Sequence, residues 1–455
     1  MRFALALHKL ATDYLPPATD SNVSTSPPAR PALPPSCTSF PIALSGSVAF
    51  LATLYALRFV QAEPIAAALW ALCAYALPIV IFELVLLRTY ARATTGLDYA
   101  ASNTINWRRV SAKLVGLYGT FAILAALYWM IPEYHKDFYR PCWEMLRLVA
   151  PYLCVAAAPY FAWVDARQRE PKDAYYQAGA ALLGQWSELD RATLWQYILG
   201  WLVKGFFVPL MFVNVVHTVA FVRGAQIEVV FTHFIDTFNF TWELLFLVDT
   251  ALAAVGYALT LRVLDAHIRS TEPTVSGWAA ALICYEPFWT FFYGAFFTYN
   301  ADEYYWGHWL QDSPALYLIW GVTILLLLLL YMLSHTAFGI RFSNLTHRGI
   351  ITNGLYRYSK HPAYVAKNAL WWLVAVPFVV NHGVADAVRD CLMLGVVNLI
   401  YYARARTEER HLSRDPIYVQ YALAMNERSL FAPLARVFPA LRYRAPPPST
   451  PRGEN

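Results

Sequence analysis

The sequence predicts an all-α polytopic membrane protein, a transmembrane helical bundle of about ten spans with both termini in the cytoplasm. Composition is the first reason: 58% of the 455 residues are hydrophobic and only 14% are charged, whereas about a quarter are charged in soluble domains. The second reason is a series of apolar stretches near the roughly 20 residues that a helix needs to cross a bilayer. We therefore expect membrane lipids to surround the protein.

The predicted spans follow one another with short polar connections. In chain order they are 41–60, 65–87, 114–131, 146–163, 194–215, 242–261, 275–297, 315–338, 368–380 and 388–403. The last two are shorter than a full crossing normally requires. Together they form an apolar hairpin near the end of the chain.

The charges of the connecting loops predict the orientation. The loops after the second, fourth and eighth spans and the segment after the last span are rich in Arg and Lys, whereas 61–64 has no cation and 300–314 has only acids. Cytoplasmic loops carry the excess of Arg and Lys. Both termini are thus expected inside.

Composition also suggests four parts. Residues 1–40 are predicted to be a disordered tail, since 16–36 are rich in Pro, Ser and Thr. Residues 41–314 form a helical region without an assigned role, 315–440 a C-terminal membrane module that contains the apolar hairpin, and 441–455 a second disordered tail.

Two polar clusters bracket the C-terminal hairpin. The first, 354–364, reads Gly-Leu-Tyr-Arg-Tyr-Ser-Lys-His-Pro-Ala-Tyr, and the second, 404–409, reads Arg-Ala-Arg-Thr-Glu-Glu. A hairpin returns the chain to the side that it left, so both clusters should build one cytoplasmic site, with His361 and Glu408 meeting across the hairpin. This arrangement indicates an enzyme.

Other familiar chemistries lack their motifs. Glu408 and His411 form a single E-x-x-H, whereas di-iron sites repeat that motif, so no metal is expected. The sequence contains neither a P-loop nor a G-x-G-x-x-G after a strand. No feature indicates a nucleic-acid partner.

The order of motifs resembles the isoprenylcysteine carboxyl methyltransferase and phospholipid methyltransferase superfamily. The matching parts are Arg-Gly-Ile-Ile-Thr-Asn-Gly-Leu-Tyr at 348–356, Lys-His-Pro-Ala-Tyr at 360–364, the hairpin, Arg404-x-x-x-Glu408-Glu409 and Tyr418-x-x-Tyr421. The resemblance covers about the last quarter of the chain. It implies an integral membrane methyltransferase that uses S-adenosyl-L-methionine on an apolar or amphipathic, lipid- or isoprenoid-like small-molecule acceptor, with a carboxylate as one candidate acceptor group.

The resemblance also assigns residues to roles. It implies that Arg404 faces the substrate and is the catalytic residue. The residues implied to contact S-adenosylmethionine are Arg348, Gly349, Ile350, Ile351, Tyr356, His361, Pro362, Ala363, Tyr364 and Glu408. The chain departs from the family pattern at Lys360, Leu355, Arg348 and Ala366, where arginine, proline, histidine and glycine are usual.

The same residues make chemical sense without the family. Carboxylates bind hydroxyls or an ammonium group, tyrosines stack on an adenine, and Arg348, Arg357 or Lys360 meets a carboxylate. A carboxylate acceptor is ionised at neutral pH, since its reference pKa is about 4. An alcohol or amine acceptor, in contrast, needs a base.

Alternative interpretations stay open. The basic residues around the hairpin are also suited to anchoring in lipid headgroups, with Glu408 and Glu409 as helix partners. A sterol-reductase-like oxidoreductase using NADPH resembles this chain in span count, but has Arg-His-x-Asn-Tyr at the place of 360–364. A transporter would make the intramembrane Lys204 and Asp249 central. These two, with Glu243, either line a substrate cavity or pair between helices.

Overall fold

The computed structural model describes residues 31–100, 104–300, 305–379 and 383–447. Of the described residues, 74% are helical and almost none are in strands, which confirms the predicted all-α class. The helices are α1 Phe40–Ala56, α2 Pro64–Val85, α3 Trp107–Met130, α4 Arg140–Asp165, α5 Ala174–Leu182, α6 Arg191–Gly224, α7 Ile227–Val230, α8 Phe234–Ala258, α9 Val275–Leu282, α10 Phe288–Phe292, α11 Trp306–Trp309, α12 Pro314–Thr336, α13 Pro362–Ala375, α14 Val384–Leu412, α15 Pro416–Arg428 and α16 Ala432–Val437. The strands are β1 Ser270–Thr271 and β2 Thr346–His347, paired antiparallel.

Seven helices in the described ranges are long and apolar enough to cross a membrane. They are Phe40–Phe59, Pro64–Val85, Trp107–Met130, Asp137–Asp165, Arg191–Gly224, Phe234–Ala258 and Pro314–Thr336. The predicted spans 275–297, 368–380 and 388–403 are not among them. The first is broken between α9 and α10, the second lies on the 14-residue α13, and the third lies on the 29-residue α14, which carries charges near both ends.

Local sequence signals set several helix starts. Helices α2, α12, α13 and α15 each begin at a proline, which suits the first helical position because it has no N–H to leave unpaired. Asp190 caps α6 by accepting hydrogen bonds from the N–H groups of Ala192 and Thr193. These starts fix where each apolar helix enters the bundle.

The main core lies between α1, α2, α6 and α8. Phe50, Tyr75, Phe207 and Leu247 are fully buried there. The rings of Phe207 and Tyr257 are stacked with their centroids 5.0 Å apart. This core holds α8 and α12, whose ends frame the site described below.

The connections gather at two ends of the bundle. At the end that carries the loop 337–361, called here the motif end, β1 pairs with β2 and Arg262 donates to the carbonyl of Thr95 at 3.0 Å. At the opposite end Arg58 and Arg223 donate to backbone carbonyls, which include Val222 O and Val60 O. Leu97 also pairs with Gln168, so the cationic loops after the second, fourth and eighth predicted spans share the motif end.

The described parts of the two segments predicted as tails, residues 31–39 and 442–447, contact the rest of the chain. Residues 31–39 lie along 350–353: Cys37 N–H donates to Ile350 O at 3.0 Å, and Thr352 Oγ1 donates to Pro34 O at 2.8 Å. At the other end Tyr443 is buried and exchanges two backbone hydrogen bonds with the Asn426 side chain. The proline-rich composition gives no signal for these contacts, because an extended segment can form its backbone hydrogen bonds with a neighbouring loop. The rest of both tails lies outside the described residues.

Candidate active site

A cleft at the motif end contains almost all of the predicted site residues. It is formed by the end of α12, the loop 337–361, the start of α13, the end of α14 and parts of α9 and α15, and it holds about 1320 Å³ of empty space, including the part open to the surroundings. The predicted residues that line it are Arg348, Gly349, Ile350, Ile351, Tyr356, His361, Ala363, Tyr364, Arg404 and Glu408. Pro362 lies outside the lining, buried as the first residue of α13.

The two motif clusters do meet across the hairpin, but not through the expected pair. His361 Nε2 donates to Glu409 Oε1 at 3.1 Å, and the Tyr364 hydroxyl donates to Glu408 Oε2 at 2.9 Å. The rings of His361 and Tyr364 stack with an interplanar angle of 13°. The expectation that His361 meets Glu408 is therefore wrong, because these consecutive carboxylates leave α14 in different directions.

Glu409 is the centre of a buried ionic cluster. Its carboxylate lies 2.6 Å from Lys360 Nζ and 2.5 Å from Arg406 Nη1, in addition to His361. Burial raises the pKa of Glu409, but the hydrogen bond and charge of His361 and the charge of Lys360 outweigh it and lower that pKa to about 2. Glu409 thus ties α14 to the start of α13.

Glu408 is arranged differently and faces the cleft. Tyr364 occupies Oε2, while Oε1 has no hydrogen-bond partner in the part of the chain that the structure describes. A partly exposed carboxylate oxygen that points into a cavity can accept from an ammonium group or from ribose hydroxyls. Glu408 is therefore the carboxylate available to a ligand.

Arg404 is held by neutral groups. Its Nη2 donates to Asn344 Oδ1, and its guanidinium lies 5.5 Å from the ring centroids of both Tyr285 and Tyr364. Among the described residues Arg404 has no carboxylate partner. It thus presents an uncompensated positive charge to the cleft rather than pairing with Glu408.

The Arg348 side chain binds backbone carbonyls of several segments and so holds these segments together. Its five N–H groups donate at 2.7–3.0 Å to backbone carbonyls of five residues, and the residue is only 2% exposed. The carbonyls belong to Gly256, Leu259, Ala266, Ile340 and Phe342. Burial and the nearby Arg341 lower its pKa to about 9. No donor of the guanidinium is left for a cofactor.

The neighbouring residues shape the cleft wall. Gly349 has φ +122°, and a Cβ there would lie 2.6 Å from Cys37 Sγ, so the position requires glycine. Ile350 and Ile351 are buried behind it. The Tyr356 ring lies 5.4 Å from that of Phe338, and its carbonyl accepts from the Tyr421 hydroxyl at 2.8 Å.

Several cleft residues were not predicted from the sequence. Tyr285 and Asn344 hold Arg404, and Asn344 Nδ2 donates to the Tyr285 hydroxyl at 2.9 Å. His411 also lines the cleft, with Nε2 2.9 Å from Ser270 Oγ. Burial lowers the pKa of His411 to about 4 despite the nearby Glu272 carboxylate. A proline two residues after Tyr285 was the available signal that the predicted span is interrupted there.

The three ionisable residues predicted inside the membrane differ in their partners and in their position relative to the cleft. Lys204 donates to Thr260 Oγ1 and packs 4.5 Å from the Trp201 ring, away from the cleft. Glu243 is half-buried on α8 and is not part of the cleft lining. Asp249 accepts from His335 Nδ1 at 2.5 Å, and His335 lines the cleft.

The fold and the cleft define a helical membrane protein with a polar site beside a short C-terminal hairpin. A family model described as the isoprenylcysteine carboxyl methyltransferase (ICMT) family matches residues 316–414. This match confirms the resemblance of the C-terminal region and contains most of the cleft lining. No curated protein and no solved structure matches the chain.

Proposed function

We propose that this protein is an integral membrane methyltransferase that uses S-adenosyl-L-methionine to methylate an apolar or amphipathic acceptor. The observation that carries the proposal is the junction of both motif clusters in one cleft, within the region that matches the ICMT family. The cleft faces the cytoplasm if the cationic loops that share its end follow the positive-inside rule. The surrounding lipid gives an apolar acceptor direct access.

The cleft residues suit the chemistry of the cofactor. The free oxygen of Glu408 accepts from the amino-acid ammonium or the ribose, and the rings of Tyr356 and Tyr364 offer faces to the adenine and the sulfonium. Ile350 and Ile351 supply apolar contacts. Bound there, the cofactor supplies an electrophilic methyl group.

The protein's own contribution is mainly positioning. Methyl transfer is an in-line displacement, so holding donor and acceptor in line accounts for much of the rate. The ionic cluster around Glu409 fixes Lys360 and His361, and thereby the start of α13 that carries Tyr364. Arg404, without a carboxylate partner, is suited to bind an anionic group of the acceptor.

Calorimetric titration of the purified protein with S-adenosylhomocysteine and, separately, with NADPH tests the proposal. We expect saturable binding of the first ligand alone. Glu408→Gln should weaken that binding by about 1–3 kcal/mol, the range for losing one partner of a buried polar contact. Glu427→Gln, an exposed glutamate on α15, is the matched control. NADPH binding without S-adenosylhomocysteine binding would refute the proposal.

A further inference from the structure

His335 and Asp249 form a pair that the proposed cofactor contacts do not use. The carboxylate of Asp249 on α8 accepts from Nδ1 of His335 on α12, and the exposed fractions of the two side chains are 11% and 12%. Ionisable residues placed inside a transmembrane bundle are costly, and a functional role is the first hypothesis for them. Their position beside the cleft makes the pair a candidate part of the reaction site.

The hydrogen bond sets the chemistry of the imidazole. A carboxylate can only accept, so the neutral ring carries its proton on Nδ1 and has its lone pair on Nε2. No described residue hydrogen-bonds to Nε2, and that atom is not among the fully buried unpaired ones. A histidine oriented by a carboxylate, with its other nitrogen open to a cavity, has the arrangement of a general base.

The other histidines of the cleft are arranged differently. His361 uses Nε2 for Glu409, and His411 uses Nε2 for Ser270. Within the described part of the cleft, only His335 combines a carboxylate at Nδ1 with an open Nε2.

The pair lies next to the proposed acceptor pocket. The ring centroid of Tyr331 lies 4.5 Å from that of His335, and Lys367 Nζ lies 5.3 Å from the Tyr331 ring centroid. The Phe342 ring lies 4.8 Å from the imidazole on its other side. His335 and Arg404 thus belong to one continuous cleft wall, lined by Tyr331, Lys367 and Tyr401 between them.

We infer that the methyl-accepting atom carries a proton in the free acceptor, as in a phenol, alcohol or amine, and that His335 Nε2 removes it. This inference rests on the proposed function and narrows it to acceptors other than carboxylates. A carboxylate is already ionised at neutral pH and has no proton for a base to remove. As the acceptor oxygen or nitrogen forms its bond to the methyl carbon, the carbon–sulfur bond breaks with its electron pair on sulfur. The acceptor proton moves to Nε2, and S-adenosylhomocysteine is released.

A chromophoric phenol tests the proton transfer without turnover. The purified full-length protein is saturated with S-adenosylhomocysteine, and a nitrophenol with a long alkyl chain is added. Absorbance then gives the fraction of bound probe that is phenolate. We expect that fraction to rise on binding to the wild-type protein, to fall severalfold in His335→Gln and Asp249→Asn, and to stay unchanged in His217→Gln. His217 is an exposed histidine on another transmembrane helix.

Product analysis provides the second readout. With S-adenosylmethionine, the wild-type protein should methylate a long-chain phenol, alcohol or amine in preference to the carboxylic acid with the same chain. His335→Gln should slow that reaction about 100-fold or more. If the variants fail to fold, the wild-type product preference decides.

The inference alone is overturned if His335→Gln leaves the phenolate fraction unchanged or if the probe does not bind. It is also overturned if the wild-type protein forms the methyl ester of the acid and does not methylate the phenol, alcohol or amine. Absence of S-adenosylhomocysteine binding to the wild-type protein, measured before any phenol is added, overturns the proposed function and the inference together.

Discussion

Replacing Glu409 should separate the structural glutamate of the site from the ligand-binding one. Glutamine is a neutral mimic of the protonated carboxyl, so Glu409→Gln removes the charge that Lys360, His361 and Arg406 surround. The pKa of Glu409 falls from 4.5 to about 2 in the folded protein. One pKa unit corresponds to about 1.4 kcal/mol, so the ionised form contributes about 3 kcal/mol to stability.

The pH dependence has a definite sign. Because the folded-state pKa of Glu409 is depressed, its contribution is fully present above the ordinary value of 4.5 and is lost as the pH falls towards 2. At neutral pH, Glu409→Gln should therefore lower the free energy of unfolding by about 3 kcal/mol. The difference between variant and wild type should shrink below pH 4.5.

Denaturant unfolding in detergent, followed by tryptophan fluorescence across this pH range, measures the effect. Glu408→Gln is the matched control, since Glu408 has one hydrogen-bonded oxygen and a partly exposed side chain. We expect the control to lose ligand affinity with little loss of stability. The reasoning is refuted if Glu409→Gln is as stable as Glu408→Gln at neutral pH.

Three further predictions concern the substrate anchor, acid stability and orientation. Arg404→Lys should keep S-adenosylhomocysteine affinity within a few-fold but reduce turnover sharply, since lysine lacks the bidentate fork; parallel losses in calorimetry and activity would make Arg404 a structural residue. The pKa of His411 is lowered to about 4, so stability should fall as the pH drops from 6.5 towards 4, and His411→Gln should be less sensitive in unfolding measurements over that range. Cysteines introduced at Thr94 and Arg357 should be protected from an impermeant thiol reagent in intact cells, whereas a cysteine at Gln61 should give more labelling than the parent protein. The reverse pattern would contradict a cytoplasmic site.

The sequence predicts long apolar helices better than the irregular segments between them. Spans such as Pro64–Val85 and Pro314–Thr336 combine sufficient apolar length with a proline at the first position. The break between α9 and α10 has one local signal, Pro287, but 275–297 is apolar on both sides of it and therefore reads as one span. Apolar length alone therefore does not distinguish one regular span from two shorter helices here.

The location of the site follows from chain order, but its pairings do not. A hairpin brings the two motif clusters to one end, and the cleft lies there. Which carboxylate meets His361 depends on the rotation of α14, since consecutive helical residues point about 100° apart. Tyr285 and Asn344 come from segments that no local pattern links to Arg404, and Arg348 binds backbone carbonyls, which leave no signature in the sequence.

Arg348 also bears on how the C-terminal region can be produced. Three of the carbonyls that it binds, those of Gly256, Leu259 and Ala266, precede the part of the chain that resembles ICMT proteins. A fragment beginning near residue 316 would retain every motif but leave this guanidinium buried with most of its partners missing. It would also lack β1 and the segment 31–39, which lies along 350–353. We therefore expect the quarter of the chain that resembles ICMT proteins to be unstable alone, and expression trials should use all 455 residues.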